Sequence, residues 1–275
     1  MSAAEGGFAA VELARHPGRP SALDIIRTGF TGWTELRGDR LYGDDRAVLG
    51  GPARLRDRWV MVIGQEKGRD ATSRVLHNFG MAHPEGYRKA ERLMRCAERF
   101  SLPVVTLIDT PAAHAGIDAE ERGQALAIAS CLQTTVRLRT PVVSVVVSDG
   151  GSGGALALGL GDRVLACENA VYSVAPPETC AAIVWRDVRE RERATAMLLP
   201  TVSTAHELGL VDELIPEPPP GAHTHGDAVI HALCEAIDRH LGELDGVPSS
   251  FLVANRLRRH RAGPLTAGPW REAGR

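Results

Sequence analysis

Val142-Val143-Ser144-Val145-Val146-Val147-Ser148-Asp149-Gly150-Gly151-Ser152-Gly153-Gly154-Ala155-Leu156 is the most informative stretch of this 275-residue chain. The run from Pro141 to Val147 lacks the polar alternation of a half-exposed strand, so it reads as a strand buried on both faces, as in parallel sheets. Glycines then fill the turn into a helical stretch, Ala155 to Leu160. Between a buried strand and a helix start, glycine lets a ligand approach the backbone and leaves amide N–H groups pointing outward. The helix start adds roughly half a positive charge. Such a bend suits a developing oxyanion, and losing one donor of that kind costs about 2.7–4 kcal/mol of transition-state stabilisation. A glycine-rich packing turn with no ligand is the plain alternative.

Other anion-site motifs fit less well. No Gly-Lys-Ser/Thr follows the turn, which excludes a phosphate loop, and Leu156 stands where the dinucleotide fingerprint needs a third glycine. Gly150-Gly151-Ser152-Gly153-Gly154 does satisfy the nucleophile-elbow pattern, so a serine hydrolase using Ser152 stays open. The loop Asp109-Thr110-Pro111-Ala112-Ala113-His114-Ala115-Gly116 ends the preceding strand, Pro103 to Ile108. Loops at the ends of neighbouring parallel strands converge, so this one can supply a second set of donors, with His114 as its titratable group. His223 and His225 could chelate a metal, but spacing places no third ligand beside them.

Working outward, residues 1–45 form a mixed polar N-terminal segment with a helix near Ala22 to Phe30. Residues 46–220 form the core. Val48-Leu49 and Trp59 to Ile63 read as paired strands separated by Gly50-Gly51-Pro52 and charged turn residues. Pro84 opens an amphipathic helix carrying Tyr87, Ala90, Leu93, Met94, Ala97 and Phe100. Asp118 with Glu121 predicts a capping box for a helix whose apolar face is Ala125, Ile128, Ala129, Leu132 and Val136. Strands at Arg163–Ala166, Val171–Val174 and Leu210–Ile215 alternate with helices around Glu178–Trp185, Arg189–Leu199 and Thr204–Leu208, which predicts an α/β core with parallel pairing. Pro216 to Gly221 is the strongest linker signal. Residues 221–275 add a helix over His225 to Leu244 and a basic tail with Arg256, Arg258, Arg259 and Arg261, read as solvated or partner-facing.

Composition narrows the function. Apolar residues at 44% and charged residues at 24% are globular usage, and 32 basic against 34 acidic residues exclude the cationic excess of a nucleic-acid binder. No apolar stretch is long enough to span a bilayer, and Met1 to Leu13 does not read as an export signal, so the cytoplasm is the default compartment. The five cysteines (Cys96, Cys131, Cys167, Cys180, Cys234) form no C-x-x-C pair and read as packing thiols. Only Lys67 and Lys89 among the 32 basic residues are lysine. Both lie in charged, glycine-containing segments, where a compact charge has a use that arginine does not duplicate.

The segments Gly38-Asp39-Arg40 with Asp44-Asp45, Lys67-Gly68-Arg69-Asp70, Asn78-Phe79-Gly80-Met81, Pro84-Glu85-Gly86-Tyr87-Arg88-Lys89, Ile108-Asp109-Thr110-Pro111, Ala119 to Gln124, Gly150 to Leu156 and Gly221-Ala222-His223 closely resemble the carboxyltransferase alpha subunit of bacterial acetyl-CoA carboxylase. The resemblance implies a crotonase-like spiral of β-β-α units with C-terminal helices, and an active site shared with a beta-type carboxyltransferase subunit in a hetero-oligomer such as α2β2. It implies transfer of a carboxyl group from carboxybiotin, held on a separate carrier protein, to the α-carbon of an acyl-CoA. By the same resemblance, Gly151, Gly153, Gly154, Ala112 and Ala113 are the catalytic backbone positions. His114, Gly116, Ser152, Lys67 and Arg69 are expected at the substrate or carboxybiotin. No metal is expected in this chain, which lacks both a Met-Lys-Met biotinylation site and the partner's cysteine zinc ribbon.

The sequence departs from the family pattern near the expected site. Ala112, His114 and Ala115 replace the Gly, Tyr and second Pro of the family's Asp-Thr-Pro-Gly-Ala-Tyr-Pro-Gly loop, and Gln65-Glu66 replaces His-Gln. Ser148-Asp149 stands for Gly-Glu, Pro176-Pro177-Glu178-Thr179 stands for Ser-Pro-Glu-Gly, and the family's long N-terminal helical extension is missing. These changes point to a divergent paralogue. They leave open a biotin-independent decarboxylase of malonyl-CoA or of malonyl groups on an acyl carrier protein, since decarboxylation makes the same enolate. A non-catalytic partner of a beta-like subunit is the third reading.

Overall fold

The structure is a computed structural model and describes residues 7–261. At its centre, β3 (Val104–Thr110) and β4 (Val142–Gly151) are buried along their whole length. Successive side chains point to opposite faces of a strand. Val142 and Val146 therefore enter one core, and Val143, Val145 and Val147 the other. β2 (Arg58–Gln65), β5 (Arg163–Cys167) and β7 (Glu213–Ile215) continue this sheet in parallel, in the order β2-β3-β4-β5-β7. β1 (Val48–Leu55) joins β2 antiparallel at one margin, and β6 (Val171–Ser173) pairs with the far end of β4.

The first core lies under α4 (Pro84–Arg99), α6 (Gln124–Arg137) and the short α7 (Ser152–Leu156), through residues such as Tyr87, Leu93, Met94 and Cys131. The second is closed by α2 (Ala22–Gly29) and α11 (Gly226–Glu243), with Leu252 of α12 (Ser249–Arg261). α1 (Gly7–Ala14) packs on β6 and on α9 (Arg191–Leu198). The remaining helices are α3 (Ala71–Leu76), α5 (Ile117–Glu121), α8 (Pro177–Trp185) and α10 (Val202–Glu207). No helix among the described residues is long and apolar enough to cross a membrane.

The helix expected over Ala155 to Leu160 begins earlier and is shorter, α7 from Ser152 to Leu156, so Gly153 and Gly154 lie in its first turn. Three further local expectations change. Gly50-Gly51-Pro52 does not separate two strands but lies inside β1, and the hairpin turns at Arg56-Asp57, with Arg56 at a φ of 52°. The reason is a neighbouring segment: Thr34 and Leu36 donate N–H groups to the carbonyls of Pro52 and Gly50, and a Cβ on Gly51 would overlap the Thr34 carbonyl. Proline is tolerated because β1 is a marginal strand. The Asp118/Glu121 capping box also does not form. Asp118 lies in the first turn of α5, and α6 begins separately after Gly123 at a φ of 80°.

The third change concerns the basic C-terminal stretch, which is helix α12 rather than a solvated tail. The Arg256 side chain is fully buried. It donates to both oxygens of Asp162 (3.0 and 2.7 Å) and to the carbonyls of Thr135, Leu138 and Thr140. Five hydrogen bonds satisfy every donor group of the guanidinium head, which is how a charge tolerates full burial. Arg259 pairs with Asp212 at 2.7 Å near the surface, and the chain from residue 262 onward lies outside the described residues. Arg256→Ala leaves Asp162 buried without its counter-charge. Denaturant unfolding should show a loss of about 3–5 kcal/mol, whereas Arg258→Ala, at an exposed position, should unfold like wild type.

Candidate active site

Thr110 pairs with Gly150 after a register shift past Ile108, so β3 and β4 end side by side and their following loops meet. Gly151, at the end of β4, precedes α7 and lends its first turn no side-chain cap. Ser152 takes a φ of 58°, a left-handed conformation unusual for a residue with a Cβ. The first amides of any helix have no intrahelical acceptor, so this turn presents N–H groups outward.

The glycines divide into two kinds. A Cβ on Gly151 would overlap the Pro111 carbonyl, and one on Gly154 would come 2.7 Å from the Ala113 nitrogen. These two let the turn pack flush against the Pro111–Ala113 loop. Gly153 is different, because the nearest atom to its Cβ position is Ile128 Cδ1 at 3.8 Å. Its flank is open. Ala112 is not among the residues with positive φ, so replacing glycine there does not force the loop off course.

Gln65, fully buried, joins the two loops from behind. Its Nε2 donates to the Gly154 carbonyl at 2.8 Å, and its Oε1 accepts the Asp109 N–H at 3.3 Å. The Tyr87 hydroxyl is buried with no hydrogen-bond partner and sits 3.0 Å from the Gly154 Cβ position. Burial pushes its pKa up, which keeps the phenol protonated.

Beside Pro111 lies a cleft of about 240 Å³ lined by Arg15, Lys67, Arg74, Phe79, Pro111 and Asp149. Lys67 reaches Asp109 Oδ1 at 2.7 Å, and the same oxygen accepts the Asp149 N–H at 3.1 Å. Asp109 Oδ2 is buried with no partner. Arg15 bridges Asp149 at 2.7 Å and Glu178 at 2.8 Å. Burial lifts the Asp149 carboxyl above its ordinary range, although Arg15 and Lys67 pull the other way. Lys67 and Arg15 are thus already matched by Asp109, Asp149 and Glu178, and Arg74 is the lining cation without an ion pair among the described residues, the one free to meet an anion.

The expected site residues thus separate. Gly151, Gly154, Ala112 and Ala113 meet directly, Gly153 and Ser152 lie on the same turn, and Lys67 enters the adjoining cleft. Arg69 is instead ion-paired with Asp24 and more than half exposed. His114 is engaged too: Asn78 contacts its Nδ1 at 3.2 Å, and its Nε2 faces Asp118 at 3.4 Å, with Gly116 alongside. Lys89, the second lysine, is buried on Asp44 and the Asp45 carbonyl and is structural. The histidines that form hydrogen bonds do so with Gly18, Arg46, Asn78, Val211 and Glu213, so Ser152 has no histidine base among the described residues. Arg15 and Arg74 carry no sequence signal, and Gln65 stands out only as a departure from the family pattern; the fold brings all three here.

A separate charge network ties the segment before β1 to α4. Asp39 Oδ1 accepts the N–H groups of Leu41, Tyr42 and Gly43 at 2.8–2.9 Å, and Oδ2 accepts Arg88 at 2.8 Å. Burial alone would raise the Asp39 pKa, but these four donors hold it down at about 2. A depressed carboxylate contributes stability above its unfolded value, near 3.9, and loses it as pH falls toward the folded one. Thermal melts should therefore drop between about pH 4 and about pH 2, and Asp39→Asn should flatten that part of the profile. For the glycine turn, Gly151→Ala should lower stability by about 1–3 kcal/mol through overlap with backbone. Gly153→Ala should melt within about 1 kcal/mol of wild type.

Comparison with known proteins adds descent to this geometry. Residues 6–263 match the family described as "Acetyl co-enzyme A carboxylase carboxyltransferase-like". The chain is 52% identical over 252 residues to the acetyl-coenzyme A carboxylase carboxyl transferase subunit alpha of Deinococcus radiodurans, covering 92% of this chain and 80% of that one. It is 53% identical over 251 residues to a Salinispora arenicola protein named as subunits beta/alpha, covering 91% of this chain but only 44% of that one. Among solved structures, a chain of a Pseudomonas malonate decarboxylase hetero-tetramer in complex with coenzyme A superposes with a TM-score of 0.67 at 18% identity, over 88% of this chain and 96% of that one. That likeness establishes the fold, which is crotonase-like as the sequence motifs imply. Matched along nearly its whole length, the chain belongs to the acetyl co-enzyme A carboxylase carboxyltransferase-like family.

Proposed function

We propose that this chain is the alpha-type half of a biotin-dependent acyl-CoA carboxyltransferase, working in the cytoplasm against a beta-type subunit in a hetero-oligomer such as α2β2. The observation that carries the reading is the uncapped, open-flanked turn at Gly153, packed flush against Ala112 and Ala113. Carboxybiotin on a separate carrier protein would supply an activated carboxyl group and leave negative charge on its ureido oxygen. The residues fit such a group: the N–H groups of Gly153 and Gly154 need an acceptor that the chain's own helix geometry does not provide. Gly151, Ala112 and Ala113 hold the turn in place, so the donors need no reorganisation when charge develops.

The chain's side chains then have separate tasks. Arg74, which has no ion pair among the described residues, and Lys67, held on Asp109, face an anionic acyl-CoA or carboxylate beside Pro111. Ser152 borders the turn and offers a hydroxyl at its rim. His114 and Gly116 shape the loop from its outer side, and Arg69 acts through Asp24 by holding α2 near the cleft. Identity of about half to carboxylase alpha subunits favours carboxyl transfer over decarboxylation.

The test is co-expression with a beta-type subunit, followed by assay of malonyl-CoA consumption with and without biotin. Biotin-dependent exchange is the expected outcome. Acetyl thioester release without biotin would replace the reading with a decarboxylase, and fluorophosphonate labelling of Ser152 would replace it with a hydrolase. Gly153→Val should cut exchange by about 100-fold or more, the scale of one lost oxyanion donor, with an unchanged melting temperature. Full activity in that variant would leave the chain a structural support for its partner.

A further inference from the structure

Beyond the glycine turn, one place in the described residues gathers metal-ligating side chains: His83, His114 and Asp118 offer ligand atoms that all lie within 4.8 Å of one another. They come from three segments. His83 precedes α4, His114 lies in the loop after β3, and Asp118 is in the first turn of α5. The two imidazole rings lie against each other, tilted by 35°, with centroids 4.3 Å apart. Nε2 of His83 is 3.7 Å from one Asp118 oxygen, and Nε2 of His114 is 3.4 Å from the other. All three side chains are partly exposed, so an ion can reach them from solvent.

We propose that His83, His114 and Asp118 bind a divalent transition cation of the zinc class, through two imidazole nitrogens and a carboxylate oxygen, with water completing the coordination. Nitrogen donors favour such an ion over magnesium or calcium, which take oxygen ligands. Gly116 supplies the cradle. A Cβ there would lie 2.5 Å from His114 Nε2 and overlap Asp118 Oδ1, so the glycine keeps the space between two ligand atoms open. Asp45 lies behind His83: its carboxylate accepts the His83 backbone N–H at 2.7 Å and sits 3.9 Å from the ring Nδ1, beyond hydrogen-bond reach, while Nε2 is the ring nitrogen nearest Asp118.

Two neighbours temper the affinity. Arg122 donates to Asp118 Oδ2 at 3.2 Å, leaving Oδ1 for the ion at reduced charge. Asn78 donates to the Met81 carbonyl at 2.7 Å and faces His114 Nδ1 at 3.2 Å. Ligation through Nε2 moves the ring proton to Nδ1 and gives up that longer contact. The site is therefore a reversible one. An ion there would tie the loop carrying Ala112 and Ala113 to the start of α4, stiffening the wall against which Gly154 packs.

The full chain, freed of metal by chelator, is titrated with Co²⁺ and then Zn²⁺, following heat and visible absorption. The expected result is one equivalent bound with a Kd of about 10 µM or tighter, the intense colour of tetrahedral Co²⁺, and its displacement by Zn²⁺. His114→Gln and Asp118→Asn should each weaken binding by at least about tenfold. Gly116→Ala, which retains all three ligands and fills the cradle, should do the same. His223→Gln, from another close histidine pair, with the His16 ring centroid at 4.4 Å, should bind like wild type. Melting curves confirm that each variant is folded. Absence of saturable binding to the wild type, or binding that survives in the His114, Asp118 and Gly116 variants, overturns the proposal.

Discussion

The ion pair between Arg19 and Glu217 is the constraint on which the placement of the site depends. Both side chains are almost wholly withdrawn from water and meet through two hydrogen bonds, at 2.8 and 2.6 Å. Arg19 also donates to Ser148 Oγ and to the Val147 carbonyl, while Glu217 accepts from Asn169 and from the Ala222 N–H. One buried pair thus fastens the N-terminal segment, the later part of β4, the turn before β6 and the loop after β7. Its net contribution against an apolar replacement is small, because desolvating two charges offsets most of their attraction. What it fixes is register. The next residues along β4 are Asp149 to Gly154, so an error at Val147 would be carried straight into the glycine turn.

That turn shows how packing and chemistry are divided among adjacent residues of identical type. Gly151 and Gly154 are glycine because another backbone occupies the space of their side chains, whereas Gly153 faces open space. Gln65 then holds both sides at once, donating to the Gly154 carbonyl and accepting from the Asp109 N–H. A rigid scaffold of this kind suits donors that must already point at charge before it develops. The neighbouring cleft adds the charge of Arg74, since Arg15 and Lys67 are already paired with acidic groups.

The parts legible from sequence are those written in local periodicity. The buried strands β3 and β4, the amphipathic α4 and the later α11 follow from apolar spacing, and the meeting of two loops follows from parallel pairing. The misread parts have partners far along the chain. Gly50-Gly51-Pro52 has the composition of a turn but is strand because Thr34 and Leu36 cover it. Arg256 looks like tail charge, and nothing within ten residues of it reveals that Asp162 waits for it in the interior. Arg15 reaches the site from 134 residues away. Asp118 had the right spacing for a cap, yet Gly123 ends its helix after one turn and frees its carboxylate for His83, His114 and Arg122.

The cover over β1 bears on how this molecule can associate. A bare marginal strand is a template for adding foreign strands, the route to fibres and misassembly. Here Thr31 bridges to Arg54, Thr34 and Leu36 occupy the next acceptors, and Pro52 offers no amide to extend a ladder. At the opposite margin β7 is only three residues long. Lateral growth of the sheet is thereby discouraged on both sides, and contacts with other chains fall to helices and loops, whose side-chain shapes can distinguish a proper companion from a stray one.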